Sequence, residues 1–435
     1  MAGNMRALTP VFDRLCPATT STALERAPID GSVTVETEKL RALLLWLMGF
    51  ASAFVFIEPS PYEIVALASM FLLGLAGLRL SAALMPLALM LAVLNIGYAI
   101  AVVQVSDQSK PVTWMLISNF LAVTGVFYAA VLSANTQARL EVLLRGCLAS
   151  AVVAALAAVA GYFHLAGGLS DALLLYGRAR GTFNDPNVLG AFLVLPAVLL
   201  FQRVLIDRRG AALQSGLVLV VLLVALLLTF SRAAWGQFVL TSLIVMALGL
   251  GSAPSAATRL RIIAVAVIGF IIALIGLAVL LSLPQVADLF SQRATLDQSY
   301  DIGHFGRFGR YLLGAELGLE RPFGIGPLQF AGFFGEDPHN SFLNAFMSGG
   351  WLSGFAYLTL TATTLVSATR FLRAETPWRS LYQVIYAAYV GVAVESVIID
   401  IDHWRHYFLI LGTLWGMMAA SRSYLVPKSA SREVS

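Results

Sequence analysis

The stretch IIAVAVIGFIIALIGLAVLLSL, from Ile262 to Leu283, runs for 22 residues with Ser282 as its single polar side chain. A helix crosses the hydrocarbon of a bilayer with about 20 apolar residues, and in lipid only helices or closed barrels satisfy every backbone group. A run this continuous excludes the barrel, whose strands alternate. Outward from it the pattern recurs, with apolar runs near 42–57, 64–78, 82–105, 112–133, 146–165, 187–206, 216–230, 233–250, 341–366, 381–399 and 406–420. The sequence therefore predicts an all-α integral membrane protein of about twelve transmembrane helices.

Composition points the same way. Of 435 residues 59% are hydrophobic and 12% charged, with a mean hydropathy of +0.82. Soluble domains carry roughly 25% charged residues, and no set of soluble cores of this length hides so much apolar surface. No fixed-period repeat is present. The net charge of +4 and pI near 9.1 do not imply nucleic acid, because Lys and Arg sit in short loops between apolar runs and act as topology signals. Cys16 and Cys147 have neither metal-ligand spacing nor the density of a disulfide framework, so both are expected reduced.

With the N-terminus inside, nineteen of the 28 basic residues fall in cytoplasmic segments and nine in outer ones, as the positive-inside rule requires of twelve spans. The expected layout is a cytoplasmic tail over 1–41, nine spans within 42–283, an outer loop over 284–340, three spans within 341–420 and a cytoplasmic tail over 421–435. The first apolar run starts too late for a cleavable signal peptide. The last tail, polar and basic from Arg422, is expected to be disordered. Within the loop Phe308, Tyr311, Leu312, Ala315 and Leu319 share one face of a helix, with Arg310, Glu316 and Glu320 elsewhere around the wheel and Pro322 ending it. That predicts an amphipathic helix near the membrane surface.

The nine outer basic residues run against the charge bias. Seven of them cluster: Arg178 and Arg180 before span six, Arg232 before span eight, and Arg293, Arg307, Arg310 and Arg321 in the loop. Singly, each reads equally as an arginine that an outer loop tolerates. As a set they suggest an anion site. Spans six, eight and ten start on the outer side with cap chemistry in Asn184-Asp185-Pro186, Ser231 and Asp337-Pro338, ordinary helix starts that also offer N–H groups and a positive dipole end to a phosphate.

His339 follows Asp337-Pro338 in what reads as the first turn of span ten. A helix N-terminus disfavours imidazolium, so this histidine suits a general base, although an interfacial histidine bonded to a loop fits the position as well. His164, His304, His403 and His406 show no spacing for a shared metal site, and no zinc is predicted. Asp400 and Asp402 precede His403-Trp404-Arg405-His406; they read either as carboxylates orienting an acceptor or as part of an interfacial belt anchored by Trp404 and Tyr407. No P-loop, dinucleotide fingerprint or G-x-S-x-G elbow supports a nucleotide cofactor or an acyl-transfer serine. Gly350 to Gly354 is a small-xxx-small pattern that close helix packing accounts for.

Four segments together resemble the O-antigen ligase and polymerase superfamily. Gly177-Arg178-Ala179-Arg180-Gly181-Thr182-Phe183 leading into Asn184-Asp185-Pro186-Asn187, and Leu228-Thr229-Phe230-Ser231-Arg232-Ala233-Ala234-Trp235, resemble its middle region. Glu320-Arg321-Pro322-Phe323-Gly324-Ile325-Gly326-Pro327 with Phe330, and Pro338-His339-Asn340-Ser341-Phe342-Leu343, resemble its long periplasmic loop and the helix after it. The match runs in order from about residue 177 to 360; the first four spans show nothing comparably diagnostic.

The resemblance implies a multi-pass glycosyltransferase of the bacterial inner membrane, with both termini cytoplasmic and its active site facing the periplasm. Its donor is an undecaprenyl-diphosphate-linked glycan and its acceptor, in O-antigen ligases, a sugar hydroxyl of lipid A-core; the reaction inverts the anomeric centre and needs no metal or other cofactor. Carried over residue by residue, His339 matches the family's catalytic histidine, and Arg178, Arg180, Arg232 and, on a looser alignment, Arg310 match its diphosphate-binding arginines. Twelve spans with one dominant late loop look most like the ligase. Rivals within the superfamily are the O-antigen polymerase, with a second lipid-linked glycan as acceptor, and protein O-oligosaccharyltransferases. A flippase or transporter is the rival from another class. It calls for charges at mid-membrane and broken helices in paired halves, whereas the charges here gather at the outer ends of spans.

Overall fold

The computed structural model describes residues 31–57, 59–294 and 306–430. The expectations for residues 1–30, Cys16, His304 and residues 431–435 lie outside the described residues. Each predicted span falls on a helix: α1 Gly31–Ala51, α2 Pro61–Leu75, α3 Met85–Val102, α4 Ser109–Leu132, α5 Thr136–Tyr162, α6 Pro186–Ile206, α7 Arg209–Leu228, α8 Arg232–Ser252, α9 Ala256–Leu281, then, after the long loop, α13 Ser341–Thr369, α14 Arg379–Glu395 and α15 Arg405–Ala430. The loop carries α10 Pro284–Ala294, α11 Arg307–Glu320 and the single turn α12 Phe330–Phe334. Seven helices among the described residues, α3 to α9, are long and apolar enough to cross a membrane. The described strands are β1, Leu174–Leu175, and β2, Arg178–Ala179, an antiparallel pair.

The caps follow the side chains. Asp185 accepts from the backbone N–H of Asn187 at 2.6 Å, with Pro186 in the first helical position of α6. Ser255 caps α9 through Thr258 N–H at 3.2 Å.

The chain divides into two compact units. In the first, made within 1–78, 135–231 and 242–286, α1 and α5 cross with almost no side chain between them: a Cβ on Gly146 would run into the Trp46 carbonyl and one on Gly49 into Leu143. Ser150 Oγ donates to the Gly49 carbonyl across the pair at 3.2 Å, and Arg139 of α5 pairs with Glu38 of α1 at 2.6 Å. Small residues at a helix crossing let backbones approach where lipid supplies no hydrophobic drive. By contrast α9 buries only Ile262 and leaves side chains such as Phe270, Ile275 and Val279 exposed around it, a surface that matches hydrocarbon rather than protein.

The second unit comprises 79–134, 232–241 and 287–435. Here α3 meets α13 through Gly97, whose missing side chain accommodates Ser353 while Ser353 Oγ donates to the Leu94 carbonyl at 2.6 Å. Helix α4 meets α15 where Gly412 and Gly416 lie on the Gly125 and Ala129 carbonyls.

Two expectations are corrected in this unit. The run 341–366 reads as one uninterrupted span, but α13 breaks at Gly350, which has φ 68 and ψ −164. Only glycine enters that region without strain. The freed backbone groups are satisfied by the loop: Trp351 N–H donates to the Pro322 carbonyl at 2.9 Å, and the Met347 carbonyl accepts from Ile325 N–H at 2.7 Å and Gly326 N–H at 3.2 Å. Trp351 Nε1 also donates to the Gly318 carbonyl at 2.8 Å. Gly350 is thus a breakpoint, beyond the packing role first assigned to it.

The helix α11 forms as predicted, with its apolar stripe of Phe308, Leu312 and Leu319 exposed and the opposite stripe of Arg310, Gly314 and Gly318 buried, the glycines against Phe330, Leu343 and Met347. Arg310 therefore sits on the packed face. The second correction concerns the C-terminal tail, which continues α15 as helix to Ala430. Trp378 explains the start of that extension, donating to Ser421 Oγ at 3.1 Å and meeting the Tyr424 ring edge-on.

Candidate functional site

In the first unit, the residues before α6 form a hairpin whose turn, Tyr176-Gly177, takes positive φ at both positions, the geometry of a type I′ connection. The hairpin delivers Arg178 inward, 8% exposed. Its Nε donates to the Thr229 carbonyl at 2.7 Å and its Nη2 to Asn187 Oδ1 at 2.7 Å, so it brackets the end of α7 to the start of α6. Arg180 is half-buried, with Nε on the Ala172 carbonyl at 3.2 Å and its guanidinium 4.9 Å from the Phe56 ring centre, a cation–π arrangement.

The second unit holds Arg232, Arg310, His339, Asp400 and Asp402. Arg232 opens α8, half-buried. The start of α13 differs from the expectation: Asn340, rather than Asp337-Pro338, is the cap, its Oδ1 accepting from Leu343 N–H at 3.0 Å. His339 therefore precedes the helix instead of lying in its first turn, in a left-handed conformation with φ 49. Asp400 fixes that conformation by accepting from the backbone N–H groups of His339 at 3.1 Å and Asn340 at 2.8 Å. The rest of the 396–402 segment stitches the same helix start: Ser341 N–H donates to the Ser396 carbonyl, Asn340 Nδ2 to the Val397 carbonyl, and Ile401 N–H to Ser341 Oγ, all at 2.8–2.9 Å. From α11, Tyr311 OH donates to the His339 carbonyl at 2.8 Å.

The electrostatics favour a neutral imidazole. Burial pushes the His339 pKa below the ordinary histidine value, and the charges of Arg307 and Arg310 push it the same way, partly opposed by Asp337 and Glu336. The cause is thus burial and two guanidiniums rather than a helix dipole. Asp400 is driven the other way, its carboxyl raised above the usual range by burial and then by the charge of Asp402.

Asp400 and Asp402 line one cavity of about 110 Å³ together with Asp337, Asn344, His403, Trp114, Leu328 and Phe330. Asn344 Nδ2 donates to Asp402 Oδ2 at 3.0 Å, and His403 stands 3.4 Å from the same oxygen with its ring against Trp114, centroids 3.8 Å apart. Carboxylates beside an aromatic ring suit a polyhydroxylated ligand and repel a phosphate. Among the described residues no group of three or more His, Cys, Asp or Glu side chains is arranged to hold a metal ion.

The structure thus gathers His339, Arg310 and Asp400 about one helix start and places Asp402 on the adjoining cavity. Arg178 and Arg180 belong to the first unit. Sequence reasoning missed the positioning roles of Tyr311 and Asn344, the aromatic wall at Trp114, and Arg307 and Glu336 as neighbours of the histidine. The only signal for these was the crowding of polar residues near Pro338. No protein-family model matches the chain, and no curated protein matches it.

Proposed function

We propose that the chain is an O-antigen ligase, transferring a glycan from undecaprenyl diphosphate to a sugar hydroxyl of lipid A-core. The observation that carries the reading is His339: an imidazole kept neutral beside two arginines, with its backbone locked by Asp400 and Tyr311. In the proposed reaction His339 takes the proton of the acceptor hydroxyl, whose oxygen attacks the anomeric carbon from the face opposite the diphosphate. The bond from that carbon to the diphosphate oxygen breaks, inverting the centre, and undecaprenyl diphosphate leaves as the anion. Arg310 and Arg232 are assigned to that anion, where charge-assisted, bidentate hydrogen bonds are worth most as charge develops. Asp400 and Asp402 orient the acceptor from the cavity beside His339. On this reading twelve helices cross the bacterial inner membrane, both termini are cytoplasmic, and the 284–340 loop lies on the periplasmic side.

Purified protein with lipid-linked glycan, supplied with lipid A-core or with no second acceptor and read on a gel, tests this. Glycan on lipid A-core is the expected product. Longer lipid-linked glycan without the core identifies a polymerase instead, and no transfer in either reaction removes both.

A further inference from the structure

A buried guanidinium has to be paired, and Arg310 is 3% exposed with one ionic partner among the described residues, Glu336 Oε2, at 2.7 Å from Nη1. The pair is lopsided. The arginine is held on the buried face of α11, whereas the glutamate side chain is 56% exposed on the short loop between α12 and α13. Nor does the carboxylate use what the arginine offers. Guanidinium carries five N–H donors in a planar fork, and the buried Nε of Arg310 has no hydrogen-bond acceptor.

We propose that Glu336 is a displaceable internal counter-ion occupying an anion site at Arg310, its carboxylate standing where a phosphate of the ligand stands after exchange. The exchange rests on the reading above, in which that ligand is a lipid-linked diphosphate. A phosphate brings three oxygens to the end of the fork and can take Nη1 and Nη2 together, so it replaces one hydrogen-bonded contact by two. The released glutamate moves into solvent, which its exposure already allows. In the unliganded protein the exchange keeps a buried cation neutralised next to His339; in the liganded one it sets a threshold, since only anions better than a carboxylate at filling the fork displace it. Glu336 is thereby a specificity-determining residue.

The test uses the full chain in nanodiscs with inorganic pyrophosphate as the probe, followed by calorimetry. Glu336→Gln removes the competitor and should bind pyrophosphate at least fivefold more tightly than the unaltered chain. Glu316→Gln, which removes the same charge from the exposed face of α11, should change nothing, and Arg310→Gln added to Glu336→Gln should abolish the gain. A purely structural ion pair gives the opposite sign: Glu336→Gln then binds no better, or worse. Equal gains from Glu316→Gln, or a gain that survives loss of Arg310, also overturn the proposal. Should the unpaired guanidinium unfold Glu336→Gln, Glu336→Asp serves instead, its arm one methylene short; a gain of about twofold supports the exchange and unaltered affinity refutes it. The readout is separate from glycan transfer: a pyrophosphate gain in a chain without transferase activity keeps the counter-ion and removes the ligase, and active ligation with no Glu336 effect does the reverse.

Discussion

Arg178 and Arg310 are both buried, both precede or begin a stretch of helix that ends near polar loops, and both read in the sequence as diphosphate ligands. Their surroundings differ. Arg178 spends its fork on the Thr229 carbonyl and Asn187, fixed groups that hold two helix ends together. Arg310 is held by one exposed carboxylate and keeps a donor empty. Buried arginine in this protein is thus two kinds of residue, a bracket and a reagent. Burial does not tell them apart; what occupies the donors does.

The largest expected effect lies beside the reagent arginine. His339→Ala should lower ligation turnover by about 10²–10⁴-fold, the usual worth of a general base, with thermal unfolding and pyrophosphate binding close to those of the unaltered chain. Turnover like the unaltered chain's would remove the base.

Next come the two arginines themselves. Lysine keeps the charge but not the fork. Arg310→Lys should cost ligation tenfold or more, about 1.4 kcal/mol at the transition state, while Arg178→Lys should lower the melting temperature and depress activity only in proportion to the folded fraction. Arg203→Lys and Arg259→Lys serve as controls and should be silent. If Arg178→Lys loses ligation with an unchanged melting temperature, the bracket is a reagent after all and the comparison collapses.

A smaller effect is expected in the pH profile. Because burial and then Arg307 and Arg310 lower the His339 pKa, the neutral base persists below the ordinary histidine value, so the acid limb of kcat/KM should have its midpoint below about 6.5. Arg307→Gln removes one of the repelling charges and should move that midpoint upward, towards the ordinary value. A downward or absent shift would mean that Arg307 does not face the imidazole. The smallest effect is none at all: if arginines carry the diphosphate, ligation should survive excess EDTA. Loss on chelation, restored by Mg²⁺, would transfer the anion-binding role from arginine to a metal held by carboxylates such as Asp400 and Asp402.

The helices were legible because hydrocarbon imposes a length and an apolarity that few other structures need, as in 262–283 or 187–206. What a helix packs against was not. The strongest period in 308–319 comes from Phe308, Leu312 and Leu319, and in a soluble protein that stripe would face the core; here it faces outward and the weak stripe of Arg310, Gly314 and Gly318 packs. In a lipid-facing protein small residues mark the protein side. The cap of α13 was misplaced for a related reason. Asp337-Pro338 carries stronger local start signals than Asn340, but the decisive partner, Asp400, arrives from some sixty positions away. His339 and the two carboxylates were legible as candidates from residue type and crowding; their joint placement was not, because it depends on the 396–402 segment folding over the helix start.

On the proposed twelve-span reading, the break at Gly350 has a consequence for biogenesis. A translocon releases helices into lipid one after another, and a helix whose backbone is complete needs nothing further. The two halves of α13 are not complete: the Met347 carbonyl and the Trp351 N–H find their partners only in Pro322 to Gly326, on the preceding loop. In hydrocarbon each unsatisfied group costs several kcal/mol. The loop must therefore be in place, already turned at Gly324 and Gly326, before the second half of α13 settles, so assembly here has an order, and a lesion in the 322–326 turn should appear first as a failure of insertion, ahead of any failure of chemistry.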